Sequence, residues 1–224
     1  MKQITCTMIS AFIFFFAAST FAGDEICNGG DLVLCPRERP RLLDLFERNI
    51  LYNLTTPINE PHLSRIKSVN INDVAQEIIA PLEHLSPEIH SCLSSYLTPQ
   101  GFWTEARLIP NVEMRDIRDE QYYVIPKSCQ KVQVAMQLRT STIGPYRYMI
   151  SENLWNIMDE YQRAGLILHE IILRNFILNP SWGEKTTSVR YFTAAIMSAE
   201  ISEMTPAQFQ QIVADINFKC HPMR

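Results

Sequence analysis

Residues 154–178, LWNIMDEYQRAGLILHEIILRNFIL, form the stretch that decides the fold. Its apolar residues recur at the spacing of a helix, and few charged residues interrupt them. Asn179-Pro180 follows, and a proline at that point ends a helix. We therefore predict one long helix in the interior of the protein, around which the rest of the chain packs.

Further helices are predicted on both sides of this stretch. Their start signals are, in chain order, Pro40, Asp73 with Gln76, Ser86-Pro87, Ser188 and Thr205-Pro206 with Gln208. The helix that Ser188 caps is expected to reach about residue 204, since helical spacing continues to that point.

The middle of the chain alternates between apolar and polar residues, as strands with one buried face do. The alternating or β-branched stretches are 102–109, 122–125, 132–138 and 146–150, after a shorter one at 32–35. Their connections are too short for parallel crossovers. The predicted fold class is α+β: an antiparallel β-meander of about four strands packed with N-terminal and C-terminal helices, in a single domain over residues 23–224.

Residues 1–22 have the three parts of a signal peptide. Lys2 supplies a positive charge, residues 9–18 are mostly apolar, and Thr20 and Ala22 flank Phe21 as a cleavage site. No later segment reaches about 18 uninterrupted apolar residues, the length of a membrane span. We predict cleavage after Ala22, no transmembrane anchor afterwards, and a periplasmic or secreted location. The competing interpretation is an uncleaved N-terminal anchor.

This cleavage leaves five of the six cysteines: Cys27, Cys35, Cys92, Cys129 and Cys220. Cysteines of an oxidising compartment form disulfides, and five cysteines can form at most two within the chain. The fifth thiol is left over or pairs between chains. Their spacing does not decide which cysteine is odd or how the other four pair.

Composition and charge exclude several classes of protein. With 46% hydrophobic and 20% charged residues, the chain is typical of a folded domain and not of a disordered one. The net charge of −4 argues against the basic face that phosphate contacts require. We therefore expect no nucleic-acid partner, and the sequence identifies no other.

His169-Glu170, in the middle of the long helix, is the pair that could carry chemistry. Zinc proteases use His-Glu-x-x-His, because ligands four residues apart on a helix can bind one ion. Position 173 is a leucine, Leu173, so the second ligand is missing. We predict no metal site and no cofactor. Gln162 shares the helix face of His169 and is its expected hydrogen-bond partner.

Glu170 falls on a narrow polar strip of the same helix with Asp159, Arg163 and Arg174. Glu170 and Arg174 have the i, i+4 order that favours an ion pair. Arg190 lies near the start of the next helix, where the helix dipole disfavours a cation, so we expect a carboxylate to compensate it. The hypothesis is that Arg190 reaches Glu170 and that these residues form a structural ion-pair cluster.

Several motifs occur in an order that resembles a group of uncharacterised exported bacterial proteins. They are Asn28-Gly29-Gly30-Asp31 before Cys35, Leu43-Asp44-Leu45, Cys129 with Gln133-Val134-Ala135, Leu154-Trp155 with Asp159, Ala164-Gly165-Leu166, His169-Glu170, Arg174, and Ser188-Val189-Arg190-Tyr191. The resemblance is strongest over residues 148–192. It implies a periplasmic or secreted bacterial protein, brings no established activity, and implies a disulfide between Cys35 and Cys129.

Two interpretations of function belong to different classes. The leading one is an exported, non-catalytic binding or envelope-associated domain whose polar cluster is part of its core. The alternative is a hydrolase, such as a degenerate zincin-like metalloprotease, with His169 as base or ligand and Glu170 as acid/base. They differ in whether His169 and Glu170 face an open pocket or a closed core.

Overall fold

The computed structural model describes residues 25–28, 30–56, 70–114, 123–138, 146–179 and 186–223. The predicted signal peptide, residues 1–22, lies outside these ranges. Helices and two small sheets make up the described part, which confirms the predicted α+β class.

The strands are β1 (Glu25–Asn28), β2 (Asp31–Leu34), β3 (Arg41–Leu42), β4 (Ala106–Ile109), β5 (Gln130–Gln133), β6 (Ala135–Leu138) and β7 (Tyr148–Ser151). The helices are α1 (Leu43–Leu51), α2 (Ile71–Ile79), α3 (Leu82–Leu85), α4 (Pro87–Tyr96), α5 (Phe102–Glu105), α6 (Glu152–Ile157), α7 (Glu160–Ile177), α8 (Thr186–Ile196) and α9 (Pro206–Asp215). A 3₁₀ helix (Ala199–Ser202) lies between α8 and α9.

The strands form one sheet in the order β1-β6-β7-β4 and another in the order β3-β2-β5. Neighbours are antiparallel except β4 and β7, which are parallel with Ala106 beside Tyr148. The arrangement therefore departs from a simple meander. The chain between β4 and β7 includes β5 and β6, which gives it the length that a parallel pair needs.

Three of the alternating stretches differ from the prediction. The first half of 102–109 is helix α5, because the Phe102 ring packs on Tyr148, with ring centroids 4.4 Å apart. Residues 123–125 form no strand, and residue 122 lies outside the described ranges. The stretch 132–138 divides at Val134, whose N–H donates to the Gly30 carbonyl at 3.0 Å. This break lets β5 and β6 join different sheets.

The long interior segment is two helices, α6 and α7, and not the single helix predicted. Asp159 has extended backbone angles, and its carboxylate accepts a hydrogen bond from the Gln162 N–H at 2.9 Å. Such a bond caps the start of a helix, so the chain turns at this point. Helix α7 is buried on almost every side, as its apolar composition predicts.

Some predicted helix boundaries agree with the structure and others do not. Helix α4 begins at Pro87, and α9 has the predicted capping box between Thr205 and Gln208. Helix α2 is capped by Asn70 instead of the predicted residue 73. Helix α1 begins three residues after Pro40, because Arg41–Leu42 first pair with β2. Helix α8 ends at residue 196, before the point where the pattern placed its end.

Two disulfides cross-link the described chain. Cys35–Cys129, the pair that the resemblance implied, joins the chain after β2 to the chain before β5. Cys92–Cys220 joins α4 to the chain after α9. Such bonds are typical of proteins from oxidising compartments. Within the described ranges, no helix has both the length and the apolar character of a membrane span.

Candidate functional site

A group of buried polar side chains lies between α1, α8 and the middle of α7. Asp44, Glu47 and Arg48 share one face of α1 because they are three and four residues apart, and that face is covered. His169 and Glu170 come from α7. Asp44, Glu47 and Glu170 are 0% exposed and His169 is 4% exposed. Charged residues are almost never so buried unless they are paired, so their partners decide what the group does.

His169 is paired with Asp44. Nδ1 of the imidazole lies 2.6 Å from Oδ2 of the carboxylate. Burial acts to lower the pKa of His169, but the negative charges of Asp44, Glu170 and Asp31 outweigh it and raise this pKa to about 8. The imidazole is therefore protonated at neutral pH. The predicted partner, Gln162, instead accepts a hydrogen bond from the Leu42 N–H at 2.6 Å.

Glu170 is held by neutral donors. The Gly30 N–H donates to its Oε1 at 2.6 Å, and the Gln137 amide donates to its Oε2 at 2.9 Å. The same amide also donates to the backbone carbonyl of Glu170 at 2.7 Å. Burial raises the pKa of Glu170, while His169 and these hydrogen bonds act to lower it. Both carboxylate oxygens are thus engaged inside the protein.

Arg190 forms its ion pair with Glu47 and not with Glu170, so the predicted pairing is wrong. Nη1 of Arg190 lies 3.2 Å from Oε2 of Glu47, and both side chains are almost fully buried. The Val124 N–H donates to the other oxygen, Oε1, at 3.1 Å. The reason is that the Glu170 carboxylate is directed towards the start of β2 and towards β6, where Gly30 and Gln137 donate hydrogen bonds to it.

Arg48, in α1, is the second buried arginine of this group. Its Nη1 donates to the Met197 carbonyl at 2.8 Å, just after α8 ends, and its Nη2 donates to Thr56 at 2.7 Å. The Tyr161 hydroxyl donates to the same carbonyl at 2.8 Å. The C-terminal carbonyls of a helix carry partial negative charge, so a cation is favourable there.

The other members of the predicted cluster lie apart from Glu170. Arg174 pairs with Glu105 instead of Glu170, which corrects the predicted i, i+4 pair. Arg163 donates to the Trp155 carbonyl at 3.0 Å, and its guanidinium carbon lies over the Trp155 ring, 5.4 Å from the centroid. Asp159 is the helix cap already described. The five residues therefore each have partners of their own and do not form one cluster.

The prediction missed the residues of α1. In the helix predicted after Pro40, apolar residues spaced by three and four define one face, and Asp44 and Glu47 lie between them. Such residues are expected to face solvent, yet both are buried, while Ile50 of the apolar set is 54% exposed. The available signal was the occurrence of Leu43-Asp44-Leu45 among the motifs of the resemblance. Gly30 was also missed as a donor. A Cβ on Gly30 would lie 2.1 Å from Cδ1 of Leu166, so a larger residue at position 30 would force the Leu166 side chain to move.

The Asp44–His169 pair has the geometry by which a carboxylate orients a catalytic imidazole. A general base must also reach a substrate, and His169 is almost fully enclosed. Within the described ranges, no three His, Cys, Asp or Glu side chains are grouped so that they could hold a metal ion. Comparisons with protein-family models, with curated proteins and with solved structures find no match for the chain.

Proposed function

We propose that the chain is an exported, non-catalytic binding or envelope-associated protein, periplasmic or secreted, in which His169 and Glu170 stabilise the core. The observation that carries this proposal is that the Glu170 carboxylate is buried and fully hydrogen-bonded within the protein. Its carboxylate is 0% exposed, and both of its oxygens accept hydrogen bonds from Gly30 and Gln137. A carboxylate that acts on a substrate needs an oxygen directed towards it.

Export is supported by the two disulfides together with the signal-peptide pattern of residues 1–22. Expression of the full chain in a bacterial host tests this part. The mature protein is expected in the periplasm or the medium, beginning at Gly23. Retention of residues 1–22 on a membrane-bound protein would favour the uncleaved anchor.

The Glu170→Gln variant tests the non-catalytic part, with Glu160→Gln as the matched control at the start of the same helix. Wild type and both variants are assayed against generic ester and peptide substrates, and their metal content is measured. We expect no hydrolysis that depends on Glu170 and no stoichiometric zinc. We also expect Glu170→Gln to lower the free energy of unfolding by about 1–3 kcal/mol, because a buried hydrogen-bond pattern is disrupted.

A hydrolase remains the second candidate function, and the Asp44–His169 geometry is the observation that favours it. Hydrolysis that is lost in a fully folded Glu170→Gln variant, but kept in Glu160→Gln, would reverse the order of the two candidates. Stoichiometric zinc in the purified protein would contradict the metal-free core of the leading proposal.

A further inference from the structure

Residues 123–129 form an irregular segment before β5 that belongs to no helix or strand. We call this segment the strap. The Val124 N–H donates to Oε1 of Glu47 at 3.1 Å, and Nζ of Lys131 lies 5.1 Å from the centroid of the Tyr123 ring. At its other end, Cys129 is bonded to Cys35. The strap is thus held by a hydrogen bond, a cation–π contact and a disulfide.

Beneath the strap lies the buried ion pair of Glu47 and Arg190. These side chains are 0% and 4% exposed, whereas Tyr123 and Val124 above them are 46% and 43% exposed. Opening of the strap therefore uncovers charged groups that water solvates well, and it exposes little additional apolar surface. Few buried apolar contacts are a mark of segments that open locally.

We propose that the Cys35–Cys129 disulfide is a redox latch for this strap: its reduction frees residues 123–129 and opens the Glu47–Arg190 pair to solvent while the core stays folded. The reductant is a dithiol, which transfers two electrons and two protons, leaves Cys35 and Cys129 as thiols, and itself becomes a disulfide. This inference does not depend on the proposed function.

The two disulfides differ in the accessibility that such an exchange requires. Cys35 and Cys129 are both partly exposed, whereas in the other disulfide Cys220 is partly exposed and Cys92 is only 6% exposed. An attacking thiolate must reach a sulfur atom, so Cys35–Cys129 should be reduced first. The β2–β5 ladder still holds the chain from Gln130 onwards, which confines the release to the strap.

Hydrogen exchange of the Val124 amide tests the latch, because Glu47 accepts this N–H in the closed strap. The double variant Cys35→Ser/Cys129→Ser is compared with wild type, and Cys92→Ser/Cys220→Ser is the matched control. Val124 is expected to exchange at least about tenfold faster in the first variant and at the wild-type rate in the second. The Leu168 amide, in the buried middle of α7, exchanges through global unfolding, so it should accelerate to a similar extent in both variants.

An unchanged rate at Val124 in Cys35→Ser/Cys129→Ser would overturn the proposal. So would an equal acceleration of Val124 in Cys92→Ser/Cys220→Ser, because the effect would then come from the loss of global stability and not from the release of the strap. If the variant does not fold, wild-type protein is treated briefly with dithiothreitol and alkylated. Labelling of Cys35 and Cys129 before Cys92 and Cys220 is expected, and the reverse order would contradict the latch.

Discussion

Deprotonation of His169 should destabilise the protein as the pH rises. Its pKa is about 8 in the folded protein and 6.5 as an unperturbed group, so the folded state binds this proton more tightly. The stabilisation is complete below about pH 6.5 and is lost as the pH rises through about 8. One pKa unit corresponds to about 1.4 kcal/mol, so the loss is about 2 kcal/mol. The raised pKa of Glu170 acts in the same direction.

The assay is urea unfolding, followed by tryptophan fluorescence, from about pH 5.5 to about pH 9.5 with the disulfides intact. Asp44→Asn is the control variant, because it removes the carboxylate nearest to the imidazole. We expect the free energy of unfolding to fall by about 2 kcal/mol or more in wild type and by clearly less in the variant. A constant value for wild type, or an equal fall in Asp44→Asn, would mean that the Asp44–His169 pair does not hold the proton on His169.

Three further predictions concern stability and thiols. Gly30→Ala should lower the free energy of unfolding by about 1–3 kcal/mol, because the new methyl group meets the Leu166 side chain. Adding Leu166→Val should recover part of this loss, and a double-mutant cycle measured by urea unfolding gives the coupling between the two positions. Arg190→Met should lower the free energy of unfolding by about 3–5 kcal/mol, because Glu47 stays buried without this cation, and adding Glu47→Leu should restore much of the loss. Additive effects of the two substitutions would contradict this coupling. Thiol titration of the mature protein in denaturant without reductant should find one thiol, or none if Cys27 pairs between chains, and a count of three would contradict the two disulfides.

Local signals predicted several helices but not the sheet order. The box of Thr205 and Gln208 and the proline at residue 87 act within one helical turn, so their effect can be read directly from the sequence. The parallel pairing of β4 with β7 depends on residues about forty positions apart in the chain, which no local pattern records. The turn at Asp159 was missed because the apolar spacing continues on both sides of it.

The burial of His169 could be predicted from local spacing, but its partner could not. The apolar face around His169 indicated a buried imidazole, and the structure encloses it. Its partner was missed because Asp44 lies on the face of α1 that the pattern assigned to solvent. Helical spacing separates the two faces of a helix, but it does not say when a second element covers the polar one. The pairs Asp44–His169 and Glu47–Arg190 are therefore products of tertiary packing.

The central claim is that His169 stabilises the core and does not act on a substrate. The free energy of unfolding of His169→Ala, measured against wild type at about pH 7, tests it most directly. Removal of the imidazole leaves the Asp44 carboxylate buried without its cation, so the account predicts a loss of about 3–5 kcal/mol. A variant as stable as wild type would contradict it, because the residue would then be dispensable for the fold.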